Sequence, residues 1–253
     1  MPRLRDGSHV DDPRLDRLYE EDWESLNYPV TRRLPRTALQ NPRSYTWSCN
    51  IWLDQGAEGA CVGFGCSHDL AARPAVVSGL SDDFARTKVY WEAQKIDPWA
   101  GGAYPGANPF YEGTAVLSGV KIMQRLGFYK AYHWALNLQQ LVVGIGYTGP
   151  AILGVDWYEG MFDVDKDGWI HVSGYVAGGH CILAIGVKCV WPKGVAKTFE
   201  NLDLDRSYLL LHNSWGKGWG VNGRAKLSLR DMGRLLEANG EACFPQRTTK
   251  RAA

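Results

Sequence analysis

The stretch Asp54-Gln55-Gly56-Ala57-Glu58-Gly59-Ala60-Cys61-Val62-Gly63-Phe64 is a glycine-punctuated turn that hands a cysteine to the start of a helix. A thiol is a weak nucleophile until it ionises, and the unpaired N–H groups and positive dipole end of a helix start favour the thiolate. Gly56 and Gly59 allow backbone angles closed to other residues and keep side chains off the approach to sulfur. Gln55 carries an amide N–H₂ that can point where the Cys61 backbone N–H points, and two convergent donors beside a nucleophile make an oxyanion hole. Taken alone, Cys61 reads equally as a buried structural thiol.

Two later segments supply what that site lacks. Gly178-Gly179-His180-Cys181-Ile182-Leu183-Ala184-Ile185-Gly186 puts a histidine at the head of an apolar run, with no side chains before it to block approach. Tyr208-Leu209-Leu210-Leu211-His212-Asn213-Ser214-Trp215-Gly216 puts an asparagine at the end of another. Cys61, His180 and Asn213 in that order suit a nucleophile, its general base and the residue that orients the base. Together the three segments resemble the papain-like cysteine peptidases, whose signatures are a Gln-Gly-x-x-Gly-x-Cys turn, a His-bearing strand and an Asn-Ser-Trp-Gly turn.

The resemblance covers roughly residues 50 to 230 and implies an α+β fold: a helical subdomain, an antiparallel β-barrel-like subdomain and an active cleft between them. It implies a cysteine endopeptidase working through a thioester, with Cys61, His180, Asn213 and Gln55 as its machinery and no metal or organic cofactor. Trp215 then shields the Asn–His hydrogen bond from water and borders the substrate, and Gly113, after Phe110-Tyr111-Glu112, pairs with substrate backbone. Across the cleft, Gly154 and Gly179 leave room for a substrate side chain. The family's secreted members often carry a disulfide cysteine three residues before the nucleophile; here that position is Glu58. This departure fits a reducing compartment, and with the short N-terminal arm it resembles bacterial or phage members. Amidase or isopeptidase action on cell-wall peptides, self-processing, and a non-catalytic assembly module use the same parts, though a binding module has no need of all four residues.

Composition sets the outer limits. The chain has 253 residues, 45% of them hydrophobic, enough for one large core or two small ones. Lys+Arg 28 against Asp+Glu 27 leaves a net charge of +1, so nothing calls for nucleic acid or an anionic membrane, and the expected partner is a peptide or protein. The polar opening Met1-Pro2-Arg3-Leu4-Arg5-Asp6 and the lack of a long apolar run predict a protein without a Sec signal, cytoplasmic or phage-associated. Six cysteines lack metal-type spacing. Among eleven tryptophans, Trp52, Trp157, Trp215 and Trp219 fall near the proposed site.

Residues 1–45 read as an extended, proline-punctuated arm lying on the body, with one helical candidate at 11–25; it is too short for the family's helical prosegment, and covering a cleft is the weaker of its two readings. The peptidase domain then spans 46–253. Helices are expected at 61–73, stopped by Pro74; at 81–96, capped by Ser81; from Thr114 to Gly127; and at 138–145, capped by Asn137. Strands are expected at 151–157, 168–173, 180–190, 207–212 and 223–229, followed by a short helix to 238 and a basic tail. The helical half thus runs over about 50–133 and the strand-rich half over about 134–253. Asp163-Val164-Asp165-Lys166-Asp167-Gly168 repeats the first half of a calcium loop, but Gly174 stands where the closing acid belongs, so an acidic turn is the stronger reading than calcium at Asp163, Asp165 and Asp167. His68, His133, His171 and His212 read as packing or surface residues.

Overall fold

The computed structural model describes Leu4 and residues 6–248; the basic tail lies outside the described residues. In chain order the elements are β1 (Arg17–Leu18), β2 (Tyr45–Thr46), α1 (Cys61–Ala71), a π-helical stretch (Phe84–Tyr90) running into α2 (Trp91–Gln94), β3 (Thr114–Ala115), α3 (Val116–Arg125), β4 (Tyr129–Trp134), α4 (Leu138–Tyr147), β5 (Ala151–Tyr158), β6 (Val176–Lys188), β7 (Tyr208–His212), β8 (Arg224–Ser228), α5 (Leu229–Glu237) and β9 (Glu241–Arg247). Six strands form one sheet in the order β4-β9-β5-β6-β7-β8, all neighbours antiparallel, and β2 joins at β6. The expected barrel is not closed: β4 and β8 are the two ends of an open sheet.

Strand alternation gives the sheet its two faces. Leu153, Val155, Ile182, Ala184 and Val187 face a core shared with α4 and α5, while Ile152, Cys181, Leu183, Ile185 and Cys243 face a second core shared with α1 and α3. α1 is buried along its whole length because it is sandwiched between the sheet and the π-helical stretch. Gly65 permits that approach: a Cβ there would lie 2.7 Å from Cys181 Sγ on β6. Asp69 on α1 accepts two bonds from Arg247 on β9, at 2.7 and 2.9 Å, and one from Tyr129 on β4 at 3.0 Å. Both charged side chains are buried, so this ion pair ties the first helix to the last strand.

Ser81 and Asn137 cap as expected, accepting from the N–H of Phe84 at 3.1 Å and of Gln140 at 2.9 Å. Thr114 does not cap α3. It lies in β3 and donates its hydroxyl to Asp97 at 2.7 Å. The helix expected over 11–25 is absent: the chain there is extended through β1, which pairs in parallel with β3, and a short 3-10 turn (Trp23–Asn27) follows. A mostly polar segment has little helical face to bury, so strand pairing and two buried leucines, Leu15 and Leu18, decide its conformation. Residues 168–173 form no strand, touching β8 only by the bridge between Trp169 and Lys226. β4, within the half expected to be helical, and its partner β9 are additional; Pro245 disguised β9, since proline argues against a paired strand.

All six cysteines are free and buried. Among the described residues no helix is long and apolar enough to cross a membrane.

Candidate active site

Cys61 is the first residue of α1 and fully buried, and the helix start has no side-chain cap. Its Sγ accepts the backbone N–H of Cys181 at 3.2 Å, so the thiol faces β6 beside His180. Its own proton goes to Asp16 Oδ1 of the N-terminal arm at 2.7 Å. Burial pushes the Cys61 thiol well above its ordinary range, and the Asp16 carboxyl beside it adds to the effect. Asp16 is itself pushed well above the carboxylate range by burial. With the arm in place, burial and the Asp16 carboxyl thus both favour the neutral thiol.

His180 lies near the start of β6, and its Nε2 is 2.8 Å from Asn213 Oδ1, just past the end of β7. The same oxygen accepts the Ser214 N–H at 2.8 Å, which identifies it as the acceptor. His180 is therefore protonated on Nε2 and keeps its lone pair on Nδ1, which has no hydrogen-bond partner among the described residues. The rings of Trp157 and Trp215 stand 4.8 and 4.9 Å from the imidazole and exclude water from the Asn–His bond. Burial lowers the His180 pKa to about 4 despite the opposing bond to Asn213.

Gln55 is held by the Asn-Ser-Trp-Gly turn. Its Oε1 accepts the Ser214 hydroxyl at 2.7 Å, and its backbone N–H donates to the Ser214 carbonyl at 2.9 Å. The Nε2 donor side is aimed by this grip, and it donates to the carbonyls of Glu58 at 2.7 Å and of Arg14, in the arm, at 3.2 Å.

The arm runs through the whole site. Arg14 lies over the Trp215 ring, 4.1 Å from its centroid. Leu15 backs onto Gly178, where a Cβ would come within 2.9 Å of it, and Asp16 sits against Gly59 and Cys61. Arg17 turns into a pocket beside Gly154, and its Nε and Nη2 donate to Glu241 Oε1 at 3.0 and 2.7 Å. Gly113, at φ +103°, lets the Asp16 carbonyl approach, and at Gly179 any Cβ would collide with the Arg17 carbonyl.

The chain thus brings Cys61, His180, Asn213, Gln55, Gly113, Gly154, Gly179 and Trp215 to one cleft, filled by residues 12–18. Trp219 joins the tryptophan cluster, whereas Trp52 packs on His212. Asp163, Asp165 and Asp167 are not part of it. Asp165 Oδ1 accepts the N–H groups of Asp167 and Trp169, both at 2.9 Å, and Oδ2 faces His171 at 3.1 Å, which is turn chemistry. Among the described residues no group of three or more His, Cys, Asp or Glu side chains is placed to hold a metal ion. His68 and His212 pack edge to face within the protein, their ring centroids 4.5 Å apart.

Arg14, Asp16, Arg17, Ser214 and Glu241 were missed as site residues by sequence reasoning. The only local hint is Leu15 and Leu18, two apolar residues in a polar arm.

No family model matches this sequence, and no curated protein matches it. Solved structures do share its fold. Xylellain, a cysteine protease from Xylella fastidiosa, superposes with a TM-score of 0.65 at 11% identity, over 95% of this chain and 98% of that one. Procathepsin B S9 from Trypanosoma congolense gives a TM-score of 0.48 at 14% identity, over 93% of this chain and 83% of the other. The architecture is the papain-like one.

Proposed function

We propose that this chain is a cysteine-type peptidase in which Cys61 attacks the scissile carbonyl and His180 serves as base and then acid. The observation that carries this reading is the convergence of two elements from opposite sides of one cleft: the Cys61 thiol at the start of α1 and the His180–Asn213 pair at the end of the sheet, with Sγ bonded to the residue after His180. Once the arm leaves, the thiol loses its Asp16 acceptor and water relieves the burial that holds it protonated. The free Nδ1 of His180 is then the base available to take its proton.

The thiolate attacks the peptide carbonyl carbon, and the Cys61 N–H and Gln55 Nε2 donate to the oxygen as negative charge develops on it. His180 returns the proton to the departing amine, leaving a thioester. Water, deprotonated by His180, then attacks the thioester, and the released thiolate recovers its imidazolium partner. Asn213 holds the imidazole in the tautomer that keeps Nδ1 as the base. Cleavage within a chain suits the cleft, because the arm continues on both sides of Cys61 as it crosses the site.

The test is labelling with an irreversible thiol-directed peptidyl inhibitor at neutral pH, read by intact mass. A single label that is absent from Cys61→Ala and slower in His180→Ala is the expected result. Labelling of any other cysteine at the same rate would overturn the assignment.

A further inference from the structure

The pocket that holds Arg17 is built more elaborately than an arm contact requires. The Arg17 side chain is 1% exposed, and its guanidinium donates to Glu241 Oε1 and, from Nη2, to the Asn239 carbonyl at 2.7 Å. Glu241 beside it is 12% exposed, and desolvation raises the pKa of its carboxyl while the arginine opposes that rise. The wall opposite is backbone: a Cβ on Gly154 would stand 2.6 Å from both Arg17 Nε and Glu241 Oε1. The pocket opens beside the nucleophile, since the residue before Arg17 is the one bonded to Cys61 Sγ. The backbone that enters it is an extended segment paired with β3, the way a peptide adds to a strand edge.

Resting on the peptidase reading above, we infer that this pocket selects an arginine side chain of the substrate and that Glu241 is its specificity-determining residue. Arg17 occupies in the resting protein the place a substrate arginine takes in turn. A buried carboxylate with no cation opposite it is costly, so an apolar side chain entering the pocket leaves Glu241 unpaired, whereas a guanidinium reproduces the three bonds already present. Without a side chain at Gly154, the pocket has the width for a planar group.

The test uses the full chain with Arg17→Ala, which empties the pocket, and compares Cys61 labelling by two matched peptidyl electrophiles, one carrying arginine and one leucine at each position in turn. Iodoacetamide, which has no side chain to place, is the reference reagent. Arginine at one position is expected to react about tenfold or more faster than leucine, the size of effect expected when a polar site discriminates. Adding Glu241→Gln should erase that ratio, and Gly154→Ala, which narrows the pocket without touching its charge, should slow only the arginine reagent. Equal rates for arginine and leucine in Arg17→Ala, with iodoacetamide still labelling Cys61 in a His180-dependent way, would overturn the pocket assignment and leave the peptidase reading standing. A ratio that survives Glu241→Gln would remove Glu241 as the determinant. Failure of every reagent, iodoacetamide included, at Cys61 in both Arg17→Ala and Asp16→Ala would overturn both.

Discussion

Each member of the site depends on one neighbour for its chemical state. Asn213 Oδ1 sets which nitrogen of His180 bears the proton, and the bond is sealed under Trp157 and Trp215. Asn213→Ala should therefore lower kcat/KM by about ten- to a thousandfold, a loss of orientation in which the thiol itself is kept. Cys61→Ala should abolish turnover, and measurable hydrolysis in that variant would contradict the thioester route. Ser214 acts at one remove. It grips the Gln55 carboxamide at 2.7 Å and aims the Nε2 donor. Ser214→Ala should mainly lower kcat, because the donor it aims is engaged most strongly when the oxyanion forms.

At the scale of elements, the arm over 12–18 covers the surface that the peptidase reading assigns to substrate. Its hold consists of the β1–β3 pairing, the Asp16–Cys61 bond and the Arg17–Glu241 pair. Asp16→Ala should speed labelling of Cys61 at neutral pH; an unchanged rate would mean that the arm does not limit access.

Two proton linkages act on arm closure in opposite senses. His180 has its pKa lowered to about 4 under the arm, so its contribution to closure is complete above its ordinary value and fades as pH falls toward 4. Asp16 has its pKa raised, so its contribution is complete below the ordinary carboxylate range and fades as pH rises. Between about pH 4 and 6.5 the two slopes oppose one another. Removing one of them with Asp16→Asn should make amide protection at Arg17 and Leu18 rise with pH more steeply than in the parent protein, approaching about tenfold per unit. A shallower rise in the variant would contradict the linkage.

The whole molecule holds the cleft by sharing one sheet between two cores. α1 carries Cys61 and packs on β6, which carries His180, so the two cannot move apart without opening the second core. The buried pair of Asp69 and Arg247 locks the same helix to β9. Arg247→Ala should destabilise the protein by about 3–5 kcal/mol, because it leaves a carboxylate buried without its cation. For a chain of this length that is a fall in Tm of roughly 10 °C, measured by calorimetry. A net charge of +1 gives the molecule little overall attraction for a polyanion.

Local patterns made much of this legible in the sequence. The glycine turn before Cys61, the Gly-Gly lead to His180 and the Asn-Ser-Trp-Gly turn each depend on a few adjacent residues, so their places survived in the fold, as did the caps at Ser81 and Asn137. β9 was hidden by Pro245, residues 168–173 only imitated a strand, and the arm's helical candidate yielded to pairing with β3. The sequence by itself determined which residue types stand ready for nucleophilic chemistry and that the apolar runs of β5 and β6 are strands. Only the tertiary structure decided what fills the cleft. Asp16 lies 45 residues from Cys61, and Arg17 lies 224 from Glu241. Contacts at such separations leave no periodicity to read: they arise when burial offsets the entropy of closing a long loop.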